Sequence, residues 1–176
     1  LRTMAKKDPK ELPVEEKLKN LFQLQTTLSA IDEKRALRGE LPLEVRDLED
    51  DLEGLHTRIE KIEQDIKDFQ SAITQKKGDI IEAQASLERY NKQLDTVANN
   101  REYDTLTKEI EFQTLEIELC NKKIKEAQHK VEEKQRDLEE NRALLEDRQH
   151  ALEEKRNELD EIMQETREEE GLLKEK

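Results

Sequence analysis

Groups able to do chemistry are present in this chain, but their spacing keeps them apart. His56, His129 and His150 are widely separated, and no two of them lie one helical turn apart, as two imidazoles sharing a metal ion on one helix must. Cys120 is the single cysteine. A thiol becomes a nucleophile or a zinc ligand when a cation, a base or a second cysteine nearby draws off its proton. Cys120 instead lies between Ile117 and Ile124 at helical spacing, where it reads as a small core residue. Carboxylates are abundant, yet general acid–base work needs them to converge in a pocket that excludes water. On exposed helix faces they diverge. Gly39, Gly54, Gly78 and Gly171 are isolated, so no glycine-rich phosphate loop is present. These residue types predict a non-enzymatic protein with no catalytic site, no metal site and no cofactor in this chain.

The elements carrying these residues are helical. Of 176 residues, 44% are charged, 32% apolar and 3% aromatic, which is too little apolar material for a thick globular core. The bias toward Glu, Lys, Leu, Arg and Ala points to long helices or coiled coil. Residues 1–12 are expected to be disordered, with Leu1-Arg2-Thr3 ahead of Met4 reading as a cloning scar. Pro13 then opens an N-terminal helix over 13–38, because proline at the first helical position loses no hydrogen bond. Its apolar residues are Val14, Leu18, Leu21, Phe22, Leu24, Leu28 and Ile31. Gly39 and Pro42 form a stop–start pair that predicts a kink or link over 39–42.

The strongest pattern lies in the first long hairpin helix, 43–98. With Val45 as heptad position a, the a and d positions run Val45, Leu48, Leu52, Leu55 and onward to Leu94 and Val97. Fifteen of these sixteen positions are apolar or aromatic, and only Lys76 dissents. A heptad kept this strictly implies a supercoiled partner helix. The second long helix, 101–176, repeats it with Tyr103, Leu106, Ile110, Ile117, Cys120, Ile124 and Val131, and from Lys134 its d positions turn polar through Asn141, Arg148 and Lys155. Pairing about a tip turn at 99–100 sets Val97 opposite Tyr103, Leu87 opposite Gln113 and Val45 near Lys155. The fold class expected is all-α: a long antiparallel two-helix coiled-coil hairpin, with the N-terminal helix extending the rod beyond a kink and pairing with residues 156–176.

Asn99 and Asn100 interrupt the helical pattern. Asparagine is a preferred N-cap and tolerates the left-handed backbone that ends helices. With Asn99 as cap, Glu102 falls three residues on, a capping-box spacing. The tip, Asn99, Asn100, Arg101, Glu102 and Tyr103, is therefore a corner first. The stretch NNREYDTLTKEIE, together with RGELPLEVRDLEDDLEGL, resembles a bacterial family of coiled-coil proteins that carry a C-terminal four-cysteine zinc ribbon. The likeness runs from about Val14 into the 160s. It implies a hairpin arm with its tip at the N-R-E-Y turn, and a regulatory role through binding partners. RNA binding in one member makes a nucleic-acid-binding regulator, acting with the ribbon, the alternative implied. The ribbon would follow at about residue 176, so the chain is expected to be a shortened form. No CxxC occurs here, no zinc ligand is carried over, and zinc is expected only in that ribbon.

Two surfaces are not needed by the hairpin. Phe112, Leu115 and Leu119 fall at c, f and c, outside the seam, with Ile81 at b on the facing helix at a similar height. Apolar residues gathered this way can seat a partner helix, or bring two hairpins side by side. The second is a basic stretch, Lys122, Lys123, Lys125, Lys130, Lys134 and Arg136, interleaved with Glu126, Glu132 and Glu133. A net charge of −13 opposes phosphate binding by the chain as a whole, so nucleic acid is disfavoured as a partner. No apolar run is long enough to cross a membrane, and the N-terminal stretch lacks the apolar core of a secretory signal. The expectation is a cytoplasmic scaffold or adaptor that binds protein.

Overall fold

The computed structural model describes residues 11–174, and side chains over 13–172. The expectation of disorder for residues 1–12 therefore falls almost wholly outside the described residues. Two helices are packed against each other: α1 (Glu11–Leu94) and α2 (Asn100–Lys174), joined by a short turn. The described chain divides into two compact units. One is Leu52–Asp147; the other combines the described residues up to Asp51 with those from Arg148 onward.

In the unit Leu52–Asp147, the heptad pattern decides what is covered. Every a and d residue of α1 from Leu52 to Leu94 is buried or half-buried, including Lys76. On α2 the same holds from Leu106 to Leu145, while Tyr103 beside the turn is exposed. Ile59, Ile62, Ile66 and Leu138 form the central cluster, with Val131 and Leu145 packed on it. Cys120 is 1% exposed, in the core role its neighbours predict. Ion pairs flank this seam. Lys134 Nζ lies 3.5 Å from Asp65, and Arg142 Nη2 donates to Glu63 Oε1 at 3.0 Å. Positions rise along α1 as those of their partners fall along α2.

The other unit follows the same rule from a different stretch of both helices. Leu41, Val45 and Leu152 are buried, and Leu159 and Ile162 half-buried. Lys155 Nζ approaches Glu44 at 3.2 Å, Arg148 donates to Asp51 at 2.9 Å, and Arg156 donates to Glu49 at 2.9 Å. The hydrogen bond to Glu44, with the Glu158 carboxylate nearby, holds the Lys155 ammonium above its ordinary pKa. The polar d positions Lys134, Arg148 and Lys155 thus end on α1 carboxylates rather than on water alone. Such exposed pairs are screened by water, so they align the helices more than they stabilise them.

Two boundaries differ from those the sequence predicts. The kink or link expected over 39–42 is helical, with Pro42 inside α1. Proline there has no N–H for the carbonyl of Arg38, a loss that normally ends a helix. Packing overrides it: Leu41 is 1% exposed and Val45 8%, and breaking the helix between them would uncover both. The first helix also ends at Leu94 rather than 98, so the corner spans 95–99.

A third difference concerns coverage. The apolar residues of the N-terminal segment were expected to pair with residues 156–176. Among the described residues, ion pairs between these stretches join Lys34 to Glu165 at 3.2 Å and Arg38 to Glu169 at 3.7 Å. Val14, Leu18, Leu21, Phe22, Leu24, Leu28 and Ile31 are all exposed. In the heptad frame that covers Lys34, Arg38, Leu41 and Val45, Ile31 and Leu24 still fall at a, but the d positions Thr27 and Asn20 are polar and Val14, Leu21 and Leu28 fall at e, so the strict apolar seam is not kept through this stretch.

Candidate functional site

The tip is built by capping. Asn99 Oδ1 accepts the backbone N–H of Glu102 at 2.9 Å, and the Asn99 carbonyl accepts that of Tyr103 at 3.2 Å. Asn99 is therefore the N-cap of α2, with Glu102 at the third helical position as its spacing predicts. Glu102 also places a negative charge at the positive end of the helix dipole. On the other side, the Thr96 N–H and hydroxyl both donate to the Gln93 carbonyl at 3.1 Å, closing the end of α1. No described residue other than glycine has positive φ, so the asparagines serve as cap and connector rather than as left-handed residues. Asn99→Ala is expected to cost about 1 kcal/mol, read as a lower urea midpoint with the m-value unchanged. Asn100→Ala, just inside the helix, should cost less than half of that.

Between the helix ends lies an open depression of 480 Å³, lined by Gln93, Thr96, Val97, Arg101, Thr105 and Leu106 among others. The hydroxyls of Thr96 and Thr105 are engaged with the carbonyls of Gln93 and Arg101. Only the side chains of Arg101 and Glu102 give it charge. Sequence reasoning identified those two and missed the rest, because the α1 wall belongs to a helix end that falls four residues earlier than predicted.

The outer stripe lies on α2. Phe112, Leu115 and Leu119 are 59%, 63% and 43% exposed, spaced three and four apart along one face. Ile81 is 67% exposed but lies elsewhere. Glu63 and Arg142, both at e, meet in a hydrogen bond, so e faces e on one flank of the helix pair. Position b of Ile81 adjoins that flank, whereas position c of Phe112 and Leu119 adjoins the opposite one. Three of the four apolar candidates form a stripe, and Ile81 stands apart from them.

The basic stretch does not converge either. Lys134 is paired with Asp65, and Lys130 Nζ sits 5.5 Å from the centre of the Phe69 ring. Lys123 borders a cleft beside Phe69 and Lys76. Lys122 and Arg136 fall at f, pointing away from α1, and Lys125 falls at b on the far flank. These cations are spread over three directions rather than lined along one face, as a groove that tracks a phosphate backbone has them. Among the described residues, no group of three or more His, Cys, Asp and Glu side chains is placed to hold a metal ion, and no helix is long and apolar enough to cross a membrane.

Compared with known protein families, with curated proteins and with solved structures, the chain matches none of them.

Proposed function

We propose that the two helices form an antiparallel coiled-coil hairpin acting as a non-enzymatic scaffold or adaptor, and that the outer stripe on α2 receives a partner helix. The observation that carries this reading is the contrast between two sets of apolar residues on one helix. Seam residues from Leu106 to Leu145 are covered by α1, whereas Phe112, Leu115 and Leu119 are left in water at the same helical spacing. The heptad does not require them, and an apolar ridge at i, i+3, i+7 is what a second amphipathic helix can pack against. Falling partner numbers along α2, and e facing e across the flank, support the antiparallel arrangement.

Leu115→Glu with Leu119→Glu tests the reading. Both residues lie outside the seam, so helicity and melting should be unchanged, while proteins captured by the wild-type chain are lost. Unchanged capture would show the stripe to be idle. Tight RNA binding by this chain, weakening steeply as salt is raised, would favour a nucleic-acid-binding role instead.

A further inference from the structure

The apolar stripe on α2 has a border, and the border is acidic. Phe112 and Leu119 stand at c and Leu115 at f, so the positions beside them around the helix are b on one side and g on the other. Position b carries Asp104, Glu111 and Glu118, and position g carries Glu109 and Glu116. All are exposed except Glu116, which is half-buried. Lys108 and Lys122, both at f, close the two ends of the ridge, so five carboxylates surround it against two ammonium groups. The ion pairs of the described residues engage none of the five. Elsewhere in the same unit the acids flanking the seam are paired, Asp65 with Lys134 and Glu63 with Arg142. Here the facing g positions on α1 supply no cation, being Asp79, Ser86 and Gln93. Arg89, at c beside them, is engaged with Ser86 Oγ at 3.3 Å and with the Tyr90 ring at 6.0 Å.

We infer that the helix seated on this stripe is basic: an amphipathic helix of another protein whose apolar ridge is bordered on both sides by Lys or Arg. The inference rests on the reading of the stripe as a docking face, and adds the chemistry of its occupant. In coiled-coil pairing the charged residues bordering the apolar seam set the choice of partner. Positions b and g border this ridge as e and g border that seam. A partner with acidic borders would bring like charges together, which is how an interface rejects the wrong helix. The same argument counts against a second copy. Stripe on stripe would set acid against acid in a chain of net charge −13. The chain's own basic stretch offers no ridge in exchange, since its c and f positions are Lys122, Glu126, His129, Glu133 and Arg136. Exposed ion pairs are individually weak, so the ridge holds the partner and the border selects it.

Two labelled synthetic helices of about 18 residues, roughly 27 Å long, test this by fluorescence anisotropy against the 176-residue chain. Both carry the same leucine ridge, bordered by arginines in one and by glutamates in the other. The arginine peptide is expected to bind, and the glutamate peptide at least ~10-fold more weakly. Leu115→Gln with Leu119→Gln, which removes the ridge without adding charge, should weaken the arginine peptide at least ~10-fold. At low salt Glu111→Gln with Glu118→Gln should weaken it about fivefold, an effect that high salt removes. Glu139→Gln with Glu146→Gln is the control, since both are exposed at b on the same helix but beside no stripe, and it should change binding less than ~2-fold. No binding of the arginine peptide, equal binding of the two peptides, or equal losses from the two glutamate pairs would overturn the basic partner and leave the docking face standing. Binding that survives Leu115→Gln with Leu119→Gln would instead remove the docking face itself. A dimer in sedimentation equilibrium that the same leucine pair dissolves would make a second copy the occupant, and would also overturn the inference.

Discussion

Leu41→Ala should cost its unit about 3 kcal/mol, and Leu43→Ala, two residues away on the same helix, less than ~0.5 kcal/mol. The two positions share residue type, helix and the neighbouring Pro42, and differ in what surrounds them: Leu41 is 1% exposed and Leu43 59%. Truncating a fully covered leucine loses the transfer energy of the removed atoms and leaves a cavity, together ~2–5 kcal/mol. A unit of two helices can close partly over the gap, which places the expected value in the lower half of that range. Urea unfolding followed by helical circular dichroism measures both. Equal losses at the two positions would mean that the helix pairing is not held in solution as described.

Pro42→Ala is expected to act in the opposite direction, stabilising by about 2 kcal/mol. Proline in a helix interior is less favourable than alanine by ~3 kcal/mol, through a missing N–H and a clash with the carbonyl one turn earlier. Against this, alanine frees the unfolded chain, which returns roughly 0.4–1 kcal/mol. The difference leaves a net gain, worth roughly 4–8 °C in melting temperature for a chain of this size. The restored donor would reach the carbonyl of Arg38, whose side chain also has its Nε buried without a partner. A lower melting temperature would show that the shape proline imposes is itself needed to seat Leu41.

Much of this molecule is legible in its sequence. The seam was legible because the a and d residues, Tyr103 beside the turn excepted, stated their own burial, down to Cys120, and the cap was legible because Asn99 and Glu102 stand at a spacing fixed by local geometry. The errors share a different origin. Gly39 and Pro42 predict a break by local rules, and the burial of Leu41 and Val45 outweighs them. Periodicity identified the apolar face of residues 14–31 but carried no information on what covers it. Ile81 was grouped with Phe112 by height alone, whereas the flank it occupies follows from which heptad positions face each other across the pair.

Within the unit Leu52–Asp147, one residue breaks the run of cross-helix attraction. Glu44, Asp51 and Asp65 recur along α1 at multiples of seven, each meeting a base on α2, yet the position between Asp51 and Asp65 is Arg58. The matching position on α2 is the neutral Asn141, and both line the same cleft. Heptad repeats are forgiving of sliding, since a shift of seven residues brings apolar positions back onto apolar positions. Arg58 removes that tolerance. Were α2 to slip by one repeat, Arg58 would come level with Lys134, Glu63 would exchange Arg142 for Gln135, and Asp65 would lose its cation to Ala127. A position that contributes little to the correct alignment thereby penalises a nearby wrong one.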